Sequence, residues 1–480
     1  MVVMGLGRFG GGVGAARFLA TKGARVLVTD LADEAALADS LASLGDLLDE
    51  GAITLRLGQH DERDFTAADL VVVSPAVRKP WENRFVVAAR RAGAVLTTEV
   101  RLLVERLPDR AHVIGVTGTA GKSTTAAMIA HALEQCAQMD SSESCPTKAT
   151  GRSADRAAGR VFLGGNIGGS LLDQIDAITA RDWVVLELSS AQLHWLGELG
   201  LCAGFPPGVA VVTNLAPNHL DWHGSFAHYA KSKACIAQGQ GEGDALLLGP
   251  SVEEHAAFDV AKLQASCIEC IDEPLGRDAP NALPGVHNRR NAALALRATE
   301  RALAQRPGSL DAAVLSGFTG LPHRLQLAMT IGEGAAAIRV VNDSKSTTPD
   351  ATALAIAAFD ERGEVGASRV HLICGGYDKC VDLSAMVKAA ARCASVHTIG
   401  ATGSALVRAI AASGGVGRCC GTLDEAVIRA SGDLQAGGRG GVLLLSPGCA
   451  SWDQFRDFEA RGERFVALAR TCLQKLPEQT

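Results

Sequence analysis

Gly115–Thr125 reads GVTGTAGKSTT, and its reading decides the fold. The apolar run before it, Ala111–Ile114, suits a core strand, and the alanine-rich run after it, Ala126–Leu133, suits a helix. Strand, glycine loop and helix in that order make a phosphate cradle. Small residues let several backbone N–H groups converge, and the helix N-terminus adds partial positive charge. Lys122 is placed to reach the β- and γ-phosphates and Ser123 to offer a hydroxyl to Mg2+. The glycines stand at Gly115, Gly118 and Gly121, a spacing unlike the common P-loop, whose first glycine would fall on Val116.

The chain around this loop has 480 residues. At roughly 150 residues per domain this predicts about three domains. The expected division is 1–110, 111–325 and 326–480. The expected class is α/β, with a Rossmann-like first domain, a central P-loop domain on a mostly parallel sheet, and a Rossmann-like last domain. A net charge of −6 argues against a nucleic-acid surface. No apolar run approaches the ~20 residues that span a bilayer. The start, MVVMGLG, lacks a basic n-region, so no signal peptide is expected, and its abrupt first strand suggests a start codon upstream. Thirteen cysteines at irregular spacing, with one lone C-x-x-C at Cys267 and Cys270, read as reduced thiols in a cytoplasmic protein.

Upstream of the loop, the strand Val2–Met4 leads into Gly5, Gly7 and Gly10, a G-x-G-x-x-G, and a second strand over Arg25–Thr29 ends at Asp30. The literal reading is a dinucleotide site for NAD and hence an oxidoreductase, but such a loop serves any nucleotide diphosphate. Leu70–Val73 is a further strand, and Ser74-Pro75 after it would face the same crevice. Downstream, Asp140–Arg160 reads as a polar loop without chemistry, and GGNIGG at Gly164–Gly169 as another glycine turn. Trp183–Leu188 is a buried-strand pattern. Glu187 at its end suits either an Mg2+ ligand or a carboxylate paired for structure. The next strand, Gly208–Thr213, leads to Asn214, Asn218, His219 and Asp221, then to a helix with Lys231 and Lys233. His219 shares a sheet edge with Glu187, which favours metal or phosphate contact. In GVHNRRN, Gly285–Asn291, the asparagines could read an adenine edge or cap the helix expected over Ala292–Leu303. In the last third, strands are expected at Ala337–Val341, Val370–Cys374, Val396–Ile399 and Val442–Leu445. Polar clusters follow three of them: NDSKSTTPDAT from Asn342, GGYDK from Gly375 and SPGCASWDQF from Ser446. Ligands bind beyond the carboxyl ends of such strands.

Taken in order, GVTGTAGKST, LELSS, NLAPNHLDWHGSFAHYAKSK, GVHNRRN, LPHR, NDSKST and SPGCAS resemble the Mur ligases of peptidoglycan precursor synthesis over nearly the whole chain. That resemblance implies an ATP-dependent amide-bond ligase, a cytoplasmic monomer. NDSKST with SPGCAS implies D-glutamate as the amino acid and UDP-N-acetylmuramoyl-L-alanine as its acceptor; a sister enzyme adding L-alanine is the nearest alternative. ATP would lie on Gly115, Thr117, Gly118, Thr119, Ala120, Gly121, Lys122, Ser123 and Thr124. Asn288 and Asn291 would read the adenine, and Arg324 and Asp343 would hold the phosphate and ribose side. The resemblance places two Mg2+ ions on Ser123, Glu187, His219 and a carbamylated Lys233. The first domain would hold the UDP-sugar, with Gly7, Arg8, Phe9, Asp30 and Ser74, joined by Asn166. The D-glutamate pocket would be Lys345, Thr347, Lys379, Ser451, Trp452 and Phe458; two lysines suit a dicarboxylate. The chain departs from the family pattern at Ala120 (often Asn), at Ala76 (Gly) and in GGYDK (commonly GGxGK).

Overall fold

The computed structural model describes residues 1–7, 10–141, 159–198, 206–259, 265, 267–276, 283–361, 366–379 and 381–473. Arg8, Phe9 and most of the polar stretch between Asp140 and Arg160 lie outside them.

The fold is α/β on three sheets. The first holds β1 (Val2–Met4), β2 (Val26–Asp30), β3 (Ile53–Leu57), β4 (Leu70–Val73) and β5 (Val95–Thr97), in the order β3-β2-β1-β4-β5 and all parallel. The second holds β6 (Val113–Thr117), β7 (Val161–Gly165), β8 (Trp183–Glu187), β9 (Val209–Val212), β10 (Ala245–Leu248) and β11 (Cys267–Cys270), ordered β11-β10-β9-β6-β8-β7 and again parallel. Parallel strands covered on both faces read as continuous apolar runs, and β6, β8, β9 and β10 are buried at every residue. These two sheets lie in one compact unit, Met1–Glu273 with Arg290–Val314. One apolar cluster runs through both, from Val3 and Val28 to Leu186 and Leu246.

The other unit, Pro274–Arg289 with Leu315–Thr480, carries the third sheet. It comprises β12 (Gln326–Ile331), β13 (Ile338–Asn342), β14 (Val370–Gly375), β15 (Ser395–Ile399), β16 (Gly417–Gly421) and β17 (Gly441–Leu445), in the order β12-β13-β17-β14-β15-β16. Only the β12 edge is antiparallel. The strands expected here are present within one residue at either end. β12 and β16 were not expected: β12 alternates only weakly in burial, and β16 is the sequence GRCCG, which has little strand propensity.

Two expected boundaries are corrected. The helix after the phosphate loop spans Lys122–Ser141 rather than Ala126–Leu133, since it begins inside the loop motif itself. The helix expected from Ala292 starts at Val286, which places Asn288 and Asn291 inside it and removes the capping reading. Cys267 and Cys270 sit three apart in β11 and so point to opposite faces; neither they nor the other described cysteines form a disulfide. Among the described residues no helix is long and apolar enough to cross a membrane.

Candidate active site

The loop between β6 and the helix Lys122–Ser141 is shaped by close approach. Gly118 has φ 142, and a Cβ there would stand 1.9 Å from Thr213 Oγ1; Gly121 has φ 83, and a Cβ there would stand 2.5 Å from Asn291 Oδ1. Both positions therefore exclude a side chain. Asn214, after β9, grips the loop: its Oδ1 accepts from Ala120 N at 2.9 Å, its Nδ2 donates to Ala120 O at 3.0 Å, and its own carbonyl accepts from Thr119 N at 3.0 Å. Thr213 Oγ1 donates to the same Ala120 carbonyl at 2.6 Å. Lys122 Nζ donates to Thr119 O at 3.2 Å, and Ser123 is buried at the first helical turn. Asn291, buried, borders the loop at Gly121, whereas Asn288 Nδ2 donates to Pro284 O at 2.7 Å within its own helix start.

Beside the loop, register pairs Val116 of β6 with Glu187 at the end of β8. Glu187 is 2 % exposed. Its Oε1 accepts from Asn166 Nδ2 at 2.9 Å, its carbonyl accepts from Asn166 N at 2.8 Å, and Oε2 is buried with no hydrogen-bond partner. A buried carboxylate oxygen left open costs free energy unless a cation or donor meets it. Lys233 is 1 % exposed; its Nζ donates to Gly118 O at 2.7 Å and Thr117 Oγ1 at 3.3 Å and lies 4.7 Å over the Tyr229 ring. Burial, then the charge of Lys122, pushes the Lys233 amine well below its usual range, with Glu187 opposing. His219 sits in the left-handed region at φ 50, its N–H donating to Asn218 Oδ1 at 2.8 Å. Burial, Lys122 and Lys233 all lower its pKa, which favours the neutral imidazole that binds metal. The structure thus brings together Ser123, Lys122, Glu187, His219 and Lys233. No three His, Cys, Asp or Glu side chains cluster tightly enough among the described residues to hold a metal alone. The donor set still fits Mg2+, which binds through one or two carboxylates plus phosphates and water.

Tyr229 was not singled out from the sequence. Its hydroxyl lies 3.0 Å from Thr119 Oγ1 and its ring underlies Lys233, so it joins the helix to the loop. The signal was legible: Tyr229 and Lys233 are four apart, on one helical face.

In the first sheet, the turn after β1 and the turn after β4 meet, for a Cβ on Gly5 would stand 2.8 Å from Ser74 Cβ. Asp30 faces this glycine loop rather than open crevice: its Oδ2 accepts from Leu6 N at 2.8 Å and Gly7 N at 3.1 Å, and its Oδ1 from Ala32 N at 2.9 Å. The carboxylate shapes the loop. The segment after Ser74 docks onto the helices Leu220–His223 and Phe226–Ala234: Trp222 Nε1 donates to Pro75 O at 3.0 Å, and Trp81 packs against Trp222 and His228. The GGNIGG turn is tied to the first sheet's domain by Ser170 Oγ, which donates to Glu99 Oε1 at 2.5 Å. Burial raises the Glu99 pKa to about 7.

In the third sheet the three polar clusters follow β13, β17 and β14, which are neighbours. Asp343 turns inward. It is 3 % exposed and accepts from Leu325 N (3.0 Å), Ser346 Oγ (2.5 Å) and Ser446 Oγ (2.7 Å), tying the LPHR, NDSK and SPGC segments together. Burial raises its pKa to about 6, against the hydrogen bonds from Ser346, Ser446 and Leu325 and the charge of Arg324. Arg461, 1 % exposed, donates to Ser344 O at 2.9 Å and Cys449 O at 3.1 Å, bracing the same loops. Ser451 is buried and Thr347 half-buried; Lys345, Lys379 and Trp452 are exposed. Tyr377 N donates to Ala450 O at 2.9 Å, so GGYDK and SPGCAS are bridged.

A glycine loop on a parallel sheet, with an open buried carboxylate and a desolvated lysine at its side, defines a phosphate-loop nucleotide enzyme. Residues 116–271 match the Mur ligase middle domain and residues 1–96 the Mur ligase MurD-like, N-terminal domain. The chain belongs to the Mur ligase family. It is similar to UDP-N-acetylmuramoylalanine--D-glutamate ligase of Geobacter metallireducens, 34% identical over 97% of this chain and 96% of the relative. The enzyme of the same name from Anaeromyxobacter dehalogenans is 36% identical over 98% and 97%. Among solved structures, UDP-N-acetylmuramate-alanine ligase MurC from Thermotoga maritima shares the fold, with TM-score 0.57 at 19% identity over 98% of this chain and 99% of that one.

Proposed function

We propose that this chain is an ATP-dependent ligase that joins D-glutamate to UDP-N-acetylmuramoyl-L-alanine during cytoplasmic synthesis of peptidoglycan precursors. The observation that carries the reading is Glu187: a buried carboxylate beside a phosphate loop, one oxygen held by Asn166 and the other left open. The names borne by the relatives support the substrates. On this reading 1–110 receives the UDP-sugar, 111–325 the nucleotide and 326–480 the amino acid, in a monomer. Gly7, Arg8, Phe9, Ser74 and Asn166 then meet the UDP-sugar and Asn291 and Arg324 the nucleotide, while Asp30, Asn288 and Asp343 act through the loops they hold.

ATP phosphorylates the alanyl carboxylate, the amine of D-glutamate attacks the acyl phosphate, and the tetrahedral adduct collapses to amide and phosphate. Backbone N–H groups of the phosphate loop other than those of Thr119 and Ala120, which Asn214 holds, and the Lys122 ammonium stabilise charge on the transferring phosphoryl group, usually the largest catalytic contribution. Ser123, Glu187, His219 and Lys233 would hold Mg2+, which when bound neutralises phosphate charge. Lys233 must first become an anion. Burial draws its amine well below the usual lysine range, toward the neutral form that adds to CO2, forming an N–C bond and releasing a proton to leave a carbamate. Lys345, Thr347, Lys379 and Ser451 receive D-glutamate, with the Trp452 and Phe458 rings beside the two lysines. Phosphate release by the purified protein should need ATP, UDP-N-acetylmuramoyl-L-alanine and D-glutamate together. Release indifferent to D-glutamate rejects the assignment, and L-alanine replacing it on UDP-N-acetylmuramate would favour the sister activity.

A further inference from the structure

The two lysines of the third-sheet site share an unexplained feature. Lys345 Nζ lies 5.4 Å from the centre of the Phe458 ring, and Lys379 Nζ lies 5.4 Å from the centre of the Trp452 ring. An ammonium within ~6 Å of a ring face is attracted by the ring's quadrupole, most strongly by Trp. Lysine is otherwise a flexible chain with many rotamers, so a seat on a ring narrows where its charge can be. The Trp452 seat is itself backed. Tyr377, in the middle of GGYDK, packs against Trp452 with ring centres 5.6 Å apart. The backbone bridge from Tyr377 N to Ala450 O holds the two loops in register. That bridge requires glycine at 376, where a Cβ would stand 2.3 Å from Ala450 O. Trp452 is nonetheless 64% exposed and Tyr377 43%. Large aromatics left this open contribute little to the core.

We infer that Trp452 and Phe458 are positioning residues that hold the two ammoniums at a set separation, and that this separation selects the amino acid by the spacing of its two carboxylates. Tyr377 acts through Trp452. The inference rests on the reading that the site takes D-glutamate. A site built this way discriminates against D-aspartate, one methylene shorter, because the shorter acid cannot meet both fixed charges.

The test is phosphate release by the full chain at saturating ATP and UDP-N-acetylmuramoyl-L-alanine, with D-glutamate and D-aspartate each titrated. Trp452→Ala should raise KM for D-glutamate about five- to twentyfold while kcat stays within about threefold. The kcat/KM preference for D-glutamate over D-aspartate should fall by about tenfold, since the freed lysine follows the shorter acid. Trp452→Phe should recover most of both, and Tyr377→Ala should show the same pattern more weakly. KM for ATP should not move. A D-glutamate-dependent wild type whose Trp452→Ala variant keeps its KM and its preference overturns the inference alone. So does a Trp452→Phe variant no better than Trp452→Ala. A wild type whose phosphate release ignores D-glutamate overturns the functional reading and the inference with it.

Discussion

Two pairs of lysines are treated in opposite ways. At the edge of the second sheet, Lys233 is sealed from solvent, its amine driven toward neutrality, within the field of Lys122. At the edge of the third sheet, Lys345 and Lys379 are exposed and rest on aromatic faces. Burial strips a lysine of charge and makes it a nucleophile or a base; an exposed ring keeps the charge and restricts where it goes. The first arrangement suits a group that must be chemically altered to do its work, the second a group that must grip an anion as it stands.

The comparison can be broken, starting with its largest expected effect. Lys122→Ala should cut kcat by more than about 100-fold, comparable to the loss of one oxyanion-type donor. A near-normal rate in single-turnover assays would show the loop is misread. Lys233→Met should cost about 10- to 100-fold in activity but raise thermal stability, because an apolar chain replaces a buried amine held with a depressed pKa. Lys379→Ala should move stability by less than about 0.5 kcal/mol, as an exposed substitution does, while weakening D-glutamate. If calorimetry shows the two lysine variants with equal melting temperatures, the contrast between the sites fails.

Glu99 sharpens the buried side of the contrast. Its pKa rises from 4.5 to about 7 on folding. A raised carboxyl pKa means the contribution is fully present below pH 4.5 and is lost as pH climbs toward 7. Glu99→Gln stays neutral, so it should match the wild type below pH 4.5 and exceed it at pH 8 by up to about 3 kcal/mol in denaturant melts. Trp222→Phe shrinks the buried indole to a single ring and deletes the donor to Pro75 O. It should cost about 1–3 kcal/mol and raise KM for the UDP-sugar without touching that for ATP.

Much of this was legible in the chain. GKST after an apolar run, Glu187 at a strand end and the three polar clusters after strands each follow from local pattern, and the structure places them at sheet edges. What was hidden depends on long-range closeness. Asp30 and Asp343 read as ligand contacts, yet both accept backbone or hydroxyl hydrogen bonds from loops brought near by the fold. Asn214 gave no sign that it would clamp Ala120 from another strand. Nor could Glu99 be paired with Ser170, 71 residues away. The stretch Gly285–Asn291 misled because a positive-φ glycine at 285 starts the helix earlier than its polar composition suggests.

The central claim is that an acyl phosphate forms on the alanyl carboxylate. It is tested most directly by giving the enzyme UDP-N-acetylmuramoyl-L-alanine with both carboxylate oxygens labelled with heavy oxygen, then weighing the released phosphate by mass spectrometry. The account predicts that each phosphate carries one labelled oxygen and that the new amide keeps the other. Unlabelled phosphate would contradict it.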